Sequence, residues 1–120
     1  MSDLINIEKK INAELNTKIN SSKIKHKQLY LNIDKQDILE VILFLKTNNL
    51  TKFRQLIDIT AVDYPENENR FKLIYLLLSH EFNHRILLNY YINENEQIFS
   101  LTKIFPAANW MERELLICMV

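Results

Sequence analysis

The sequence predicts an α+β fold: a mixed β-sheet with helices packed on it as a sandwich. Three observations carry this. Residues 2–15 and 34–46 repeat apolar side chains at a helical period. Four stretches near 29–33, 53–62, 71–78 and 85–92 are strand-length and rich in Ile, Leu, Val, Phe and Tyr. Polar turns separate them, in the order helix, strand, helix, strand, strand, strand, helix. With 120 residues, 48% of them apolar, the chain is long enough for one domain with a real core. That domain is read over 1–120, with an N-terminal helix and basic connector at 1–28 and the core at 29–120.

In the first helix, Leu4, Ile7, Ile11 and Leu15 share a face and Glu8, Lys9, Lys10 and Glu14 lie opposite, with Ser2 placed to cap it. Thr17 to Gln28 reads as a polar connector and strand edge, locally basic at Lys18, Lys23, Lys25, His26 and Lys27. Leu29, Leu31 and Ile33 alternate with Tyr30 and Asn32, the pattern of a half-buried strand. Asp34 is placed to cap the second helix, whose broad apolar face is Ile38, Leu39, Val41, Ile42 and Leu45. Asn48-Asn49 would end it in a left-handed cap. Phe71 to Leu78 is nearly continuously apolar, which predicts a strand buried on both faces against that helix, Leu76 included. The polar stretch from Asn93 to Gln97 reads as a turn, and Ile98 to Phe105 as an extended approach to the last helix.

Formal charge balances at zero, which removes any bulk electrostatic drive toward nucleic acid. The apolar runs fall far short of a bilayer span, and the first residues lack an apolar signal core, so a soluble chain without a targeting signal is expected. The single cysteine, Cys118, leaves no partner for an intrachain disulfide or a CxxC pair, and reads as buried and inert. The absence of glycine excludes a Walker A loop and a GxGxxG fingerprint. It also means that any positive φ must be met by Asn, Asp or a similar residue. Abundant Ile, Asn and Lys point to an AT-rich genome, as in organelles and some parasites or endosymbionts.

The segment around which the chain is organised is Ile104-Phe105-Pro106-Ala107-Ala108-Asn109-Trp110-Met111-Glu112-Arg113-Glu114. Pro106 fixes a bend after an extended Phe105. Asn109 stands as N-cap of the last helix, with Glu112 at capping-box spacing. The outcome is one large aromatic, Trp110, and a Glu112-Arg113-Glu114 cluster presented to a neighbour.

Two patterns suggest chemistry. His80-Glu81-Phe82-Asn83-His84 spells HExxH, which on a helix would hold Zn²⁺ between its histidines with Glu81 as base. Here strand-like segments flank it, and it reads as a five-residue hairpin loop. A stand-alone zinc hydrolase is the alternative that this motif leaves open. Asp58 and Asp63, five apart in a strand, fall on opposite faces and so do not form a carboxylate pair; hydrogen bonding to backbone suits each.

Four strings together resemble one family: Asp58-Ile59-Thr60-Ala61-Val62-Asp63-Tyr64-Pro65, Arg70-Phe71-Lys72-Leu73-Ile74-Tyr75-Leu76-Leu77-Leu78-Ser79, Asn83-His84-Arg85-Ile86, and Phe105-Pro106-Ala107-Ala108-Asn109-Trp110-Met111-Glu112-Arg113-Glu114. They are similar to the NADH dehydrogenase subunit 9 family of respiratory complex I, the 30 kDa-type subunit, from Ile38 to Glu114. The resemblance implies the 30 kDa-subunit sandwich. It also implies a structural, non-catalytic place in the peripheral arm of proton-translocating NADH:ubiquinone oxidoreductase. Such a chain binds no flavin, iron–sulfur cluster or metal; neighbouring subunits carry FMN and the clusters. Its partners would be the 49 kDa-type quinone-site subunit and the small subunit holding the last cluster, with no nucleic acid and no membrane span of its own. Trp110, Glu112, Arg113, Glu114 and Asp63 become the candidate partner-interface residues. The expected location is the matrix side of the mitochondrial inner membrane, with a bacterial cytoplasmic membrane as the other setting. After Glu114 the sequence departs from the family: Leu115-Leu116-Ile117-Cys118-Met119-Val120 replaces an aromatic, an Asp and a Gly. A shortened C-terminus is therefore expected, with the tail lost or supplied by another chain.

Overall fold

A computed structural model describes residues 2–15, 17–48, 51–68, 70–93 and 100–119, with side chains described over 4–113 of these. The order is α1 (Ser2–Leu15), β1 (Ile19–Lys25), β2 (Gln28–Ile33), a 3₁₀ turn (Lys35–Asp37), α2 (Ile38–Thr47), β3 (Gln55–Asp63), β4 (Phe71–Ser79), β5 (His84–Ile92) and α3 (Ala108–Met119). The α+β expectation holds, with one strand more than the sequence pattern revealed. The basic connector is β1: its polar residues form an edge strand, antiparallel to β2, with no apolar alternation to announce it.

The five strands form one sheet in the order β1-β2-β5-β4-β3. Only the β2–β5 pair is parallel, which makes the sheet mixed. Across it, buried residues line up strand to strand: Leu29 with Ile86 and Leu77, Leu31 with Leu88 and Tyr75, and Tyr90 with Leu73. One apolar cluster joins them to Leu4, Ile7, Ile11 and Leu15 of α1 and to Ile38, Val41, Ile42 and Leu45 of α2. The helices thus close one face. At its centre Tyr75 and Tyr90 meet edge-on, ring centroids 5.5 Å apart, and their hydroxyls hydrogen-bond at 2.6 Å. Burial, reinforced by Tyr90 beside it, holds the Tyr75 phenol far above its ordinary pKa.

The strand β4 alternates strictly between buried and half-buried positions. It is not buried on both faces: Lys72, Ile74, Leu76 and Leu78 lie on the open side. The continuous apolar run misled because the open face also carries apolar residues, so periodicity was masked.

Local devices differ from those expected. Asp34 is extended and makes no cap bond; its carboxylate accepts from Asn20 Nδ2 at 2.8 Å instead. Asn48 closes α2 in an extended conformation, and Asn49 lies outside the described residues. So do Ser2 as a capping side chain, most of the turn read at 93–97, and the approach at 98–99. Positive φ falls on His26, Lys27, Lys52 and Asn83, so only one of the four is an Asn. His26 and Lys27 form the two-residue turn between Lys25 and Gln28; with both φ positive it matches the twist of the hairpin, and without glycine a lysine and a histidine carry the steric cost.

Two outcomes test this packing. Leu77, fully buried, should cost about 2–5 kcal/mol on change to Ala, whereas Leu76→Ala should cost roughly half of that or less, read from urea midpoints. Lys27→Gly should raise stability by about 1 kcal/mol, because glycine removes the Cβ penalty at φ 62.

Candidate functional site

The candidate site begins at a tight reversal ahead of α3. Leu101 accepts from the backbone N–H of Ile104 at 2.9 Å and of Phe105 at 2.7 Å, so the expected extended approach is a turn at this point. Phe105 and Leu101 are buried, and Lys46 of α2 reaches over the Phe105 ring while donating to the Ile104 carbonyl. Pro106 then leads into α3. The Ala108 N–H bonds to the Phe105 carbonyl at 2.9 Å, so the helix begins at Ala108 and Asn109 is inside it.

Glu112 differs most from its expected role. It is 8% exposed, and its Oε2 accepts the buried Leu101 N–H at 2.8 Å. A carboxylate accepting a buried amide satisfies a donor that the turn leaves without a partner. Glu112 therefore faces inward as a latch on the turn, and is not part of an outward charge cluster. The capping box expected between Asn109 and Glu112 is not formed: Asn109 lies inside the helix, and the Glu112 carboxylate reaches Leu101 instead. Trp110, by contrast, is 67% exposed, and Arg113 is exposed three residues on, on the same helical flank. The Glu114 and Cys118 side chains lie outside the described residues.

Asp63, at the end of β3, is gripped by Arg70 through two hydrogen bonds, Nε to Oδ1 at 2.7 Å and an Nη to Oδ2 at 2.9 Å. The bidentate guanidinium holds its carboxyl below the usual range. This replaces the backbone bonding expected of it. Asp58 does bond to backbone, accepting from Ile59 N–H at 2.9 Å. The two carboxylates sit on opposite faces, as their spacing requires: Asp58 pairs with Leu76 and Asp63 with Phe71.

The HExxH segment is not a helix, so its histidines do not share a helical face: residues 80–83 turn between β4 and β5, one residue fewer than the expected loop, and His84 opens β5 paired with Ser79. Glu81 is paired with Lys52 at 2.7 Å and Arg54 at 3.0 Å. Lys52 foremost lowers its pKa, opposite to the shift a general base at neutral pH needs. His80 bonds to Gln55 and His84 stacks on Phe82. Among the described residues no three His, Cys, Asp or Glu side chains group to hold a metal ion.

The open face of the sheet was not singled out from sequence. One row across it is Lys23, Tyr30, Leu87, Leu76 and Asp58; the next is Ser21, Asn32, Asn89, Ile74 and Thr60. Tyr30 and Asn32, which alternate with the buried residues of β2, were the available signal.

A mixed five-stranded sheet closed on one face by helices, with a proline-bent start to the last of them, is an α+β sandwich. The particular family is clear: residues 31–116 match the family described as respiratory-chain NADH dehydrogenase, 30 Kd subunit, and the chain belongs to it. An NADH-quinone oxidoreductase subunit of Rhodopseudomonas palustris is 38% identical over 114 residues, 95% of this chain and 57% of that protein. The mitochondrial NADH dehydrogenase (ubiquinone) iron-sulfur protein 3 of Candida albicans is 48% identical over 77 residues, 64% of this chain and 28% of that protein. The chain spans about half the length, or less, of the curated relatives it matches. The fold is that of a chain in the membrane-bound sulfane sulfur reductase, an archaeal respiratory membrane complex, with a TM-score of 0.78 at 23% identity over 91% of this chain and 63% of that one.

Removing the Glu112 latch should cost about 1–3 kcal/mol in Glu112→Ala, because a buried N–H loses its acceptor; Glu112→Gln keeps an acceptor oxygen and should cost clearly less by thermal melting. Asp63 should titrate below an ordinary aspartate by NMR, and Arg70→Ala should bring its midpoint back up. The sign follows from the depressed folded pKa: any stability from this pair is complete above the unfolded value and is lost as pH falls through the folded one.

Proposed function

We propose that this chain is a structural, non-catalytic peripheral-arm subunit of proton-translocating NADH:ubiquinone oxidoreductase, supporting electron transfer from NADH to quinone without carrying an electron itself. The observation that carries the reading is its membership of the 30 kDa subunit family over most of its length. The chemistry of the described residues supports it: the acidic groups that invited a catalytic reading, Asp63, Glu81 and Asp58, are engaged by Arg70, by Lys52 and Arg54, and by the Ile59 amide. Enzyme activity then belongs to the complex, with FMN and iron–sulfur clusters on neighbouring subunits and none on this chain.

The partners proposed are the 49 kDa-type quinone-site subunit and the small subunit that holds the last cluster. Trp110 and Arg113 are the contact residues, since Trp and Arg are the side chains most often found at interface hot spots and both stand outside the core. Asp63, held by Arg70 at the end of β3, is a further contact residue proposed. Glu114 completes the proposed patch. Among the described residues no helix is long and apolar enough to cross a membrane, so attachment is through the neighbours. The location proposed is the matrix side of the mitochondrial inner membrane; the AT-rich composition favours it over the bacterial membrane that other relatives indicate.

The chain should migrate with a very large NADH-oxidising complex on a native gel. Trp110→Ala with Arg113→Ala should leave the isolated chain melting as before and lower the assembled complex by more than tenfold, as loss of a desolvated contact worth about 2–5 kcal/mol requires. Assembly at the wild-type level in that double variant would remove this patch from the interface.

A further inference from the structure

The open face holds a polarised row of side-chain amides that no internal contact uses up. Asp34 can only accept, so Asn20 turns its Nδ2 toward it, at 2.8 Å, and uses the same group to donate to Asn32 Oδ1 at 3.2 Å. Asn32 in turn donates through Nδ2 to Asn89 Oδ1, its neighbour across the parallel β2–β5 pair. The direction of the whole relay is thereby set, and it ends on the Nδ2 of Asn89, which has no acceptor among the described residues. That donor lines an open depression of about 270 Å³.

Two cations flank it. Lys23 lies over Tyr30, 5.6 Å from the ring centroid, and Lys72 over Tyr91 at 5.9 Å. Each lysine is held over the aromatic directly opposite it on the neighbouring strand. Neither has a carboxylate partner among the described residues, and they are the only charged side chains lining the depression. An amide N–H and two ammonium groups form a donor set, Asp34 lies beyond Asn20 at the far end of the relay, and no carboxylate is among the described residues lining the depression; a carboxylate is the acceptor-only group that matches such a set. By strand register, half-buried Ile74 and Leu87 stand beside the lining residues Asn89 and Tyr30, with Leu76 opposite Leu87. A free carboxylate would leave those residues wet, whereas a chain segment would cover them. Two lysines on a chain of zero formal charge are too few for a phosphate polymer or an anionic bilayer.

We propose that this depression seats an Asp or Glu side chain carried on an extended, otherwise apolar segment of a neighbouring subunit. The identity of the neighbour rests on the complex-subunit reading above; the carboxylate chemistry rests on the amide relay and the two lysines alone. The purified full chain can therefore be tested first. In an NMR titration, acetyl-Leu-Asp-Leu-Glu-Leu-amide should shift the side-chain amides of Asn89 and Asn32, and bind at least fivefold more tightly than its Asn/Gln counterpart. The preference should vanish in the Lys23→Gln/Lys72→Gln double variant with melting unchanged. Equal binding of the two peptides, or binding of neither, would overturn the carboxylate assignment.

In the assembled complex, a photo-crosslinking benzoylphenylalanine at Tyr91 should capture a subunit peptide with Asp or Glu within a few residues of the attachment. Capture of a peptide without a carboxylate, of lipid alone, or of nothing while the chain remains in the complex would refute the proposed occupant. A chain that selects the acidic peptide but enters no large complex would instead overturn the complex-subunit reading.

Discussion

Side-chain alternation in the sheet is the constraint on which the rest of the molecule depends. Each strand turns every second residue to one side, so a single layer of helices can satisfy only half of them. The chain spends both α1 and α2 on the same side, where Tyr75, Tyr90 and their strand neighbours are sealed without exposure. The other side is left with Leu76, Ile74 and Leu87 half covered, polar residues beside them, and no described element laid across. A sheet with one wet face is stable by itself, but apolar residues in the middle of that face are a cost unless something else covers them.

The same division of roles runs through the proline-bent segment. One helical turn places Glu112 inward and Trp110 and Arg113 outward. The inward carboxylate holds the reversal at Leu101, and that reversal sets the position of α3 along β3. A string that reads as one functional cluster is therefore two groups with opposite duties: one residue that fixes the presentation and two that are presented. This bears on how a chain without an assembled catalytic centre among its described residues can still matter to an oxidoreductase, since a presented surface is useful only if its backbone is rigid.

Much of this was legible in the residues. Helical spacing of Leu4, Ile7, Ile11 and Leu15 gave α1 with its bounds, alternation gave β2, and apolar content gave β5 as a strand without its faces. What failed had physical causes. The edge strand β1 buries little, so no hydrophobic period marks it. Leu76 lies in a run where both faces are apolar, and composition alone cannot say which face the helices take. Spacing rules point Asp34, Glu112 and Asp63 to local backbone partners, yet each bonds to a partner that only the tertiary fold brings near: Asn20, the Leu101 amide and Arg70. The relay across Asn20, Asn32 and Asn89 was invisible for the same reason, since its two bonds join residues 12 and 57 apart in sequence.

Under the function proposed above, this chain serves assembly of the oxidoreductase and not its turnover. Graded depletion of the chain, with complex counted by bound flavin and NADH:quinone turnover measured on the same membranes, tests that claim most directly. Assembled complex and total activity should fall together while turnover per complex stays constant. A constant number of complexes whose turnover falls in step with the chain would contradict it, and would place chemistry on this subunit.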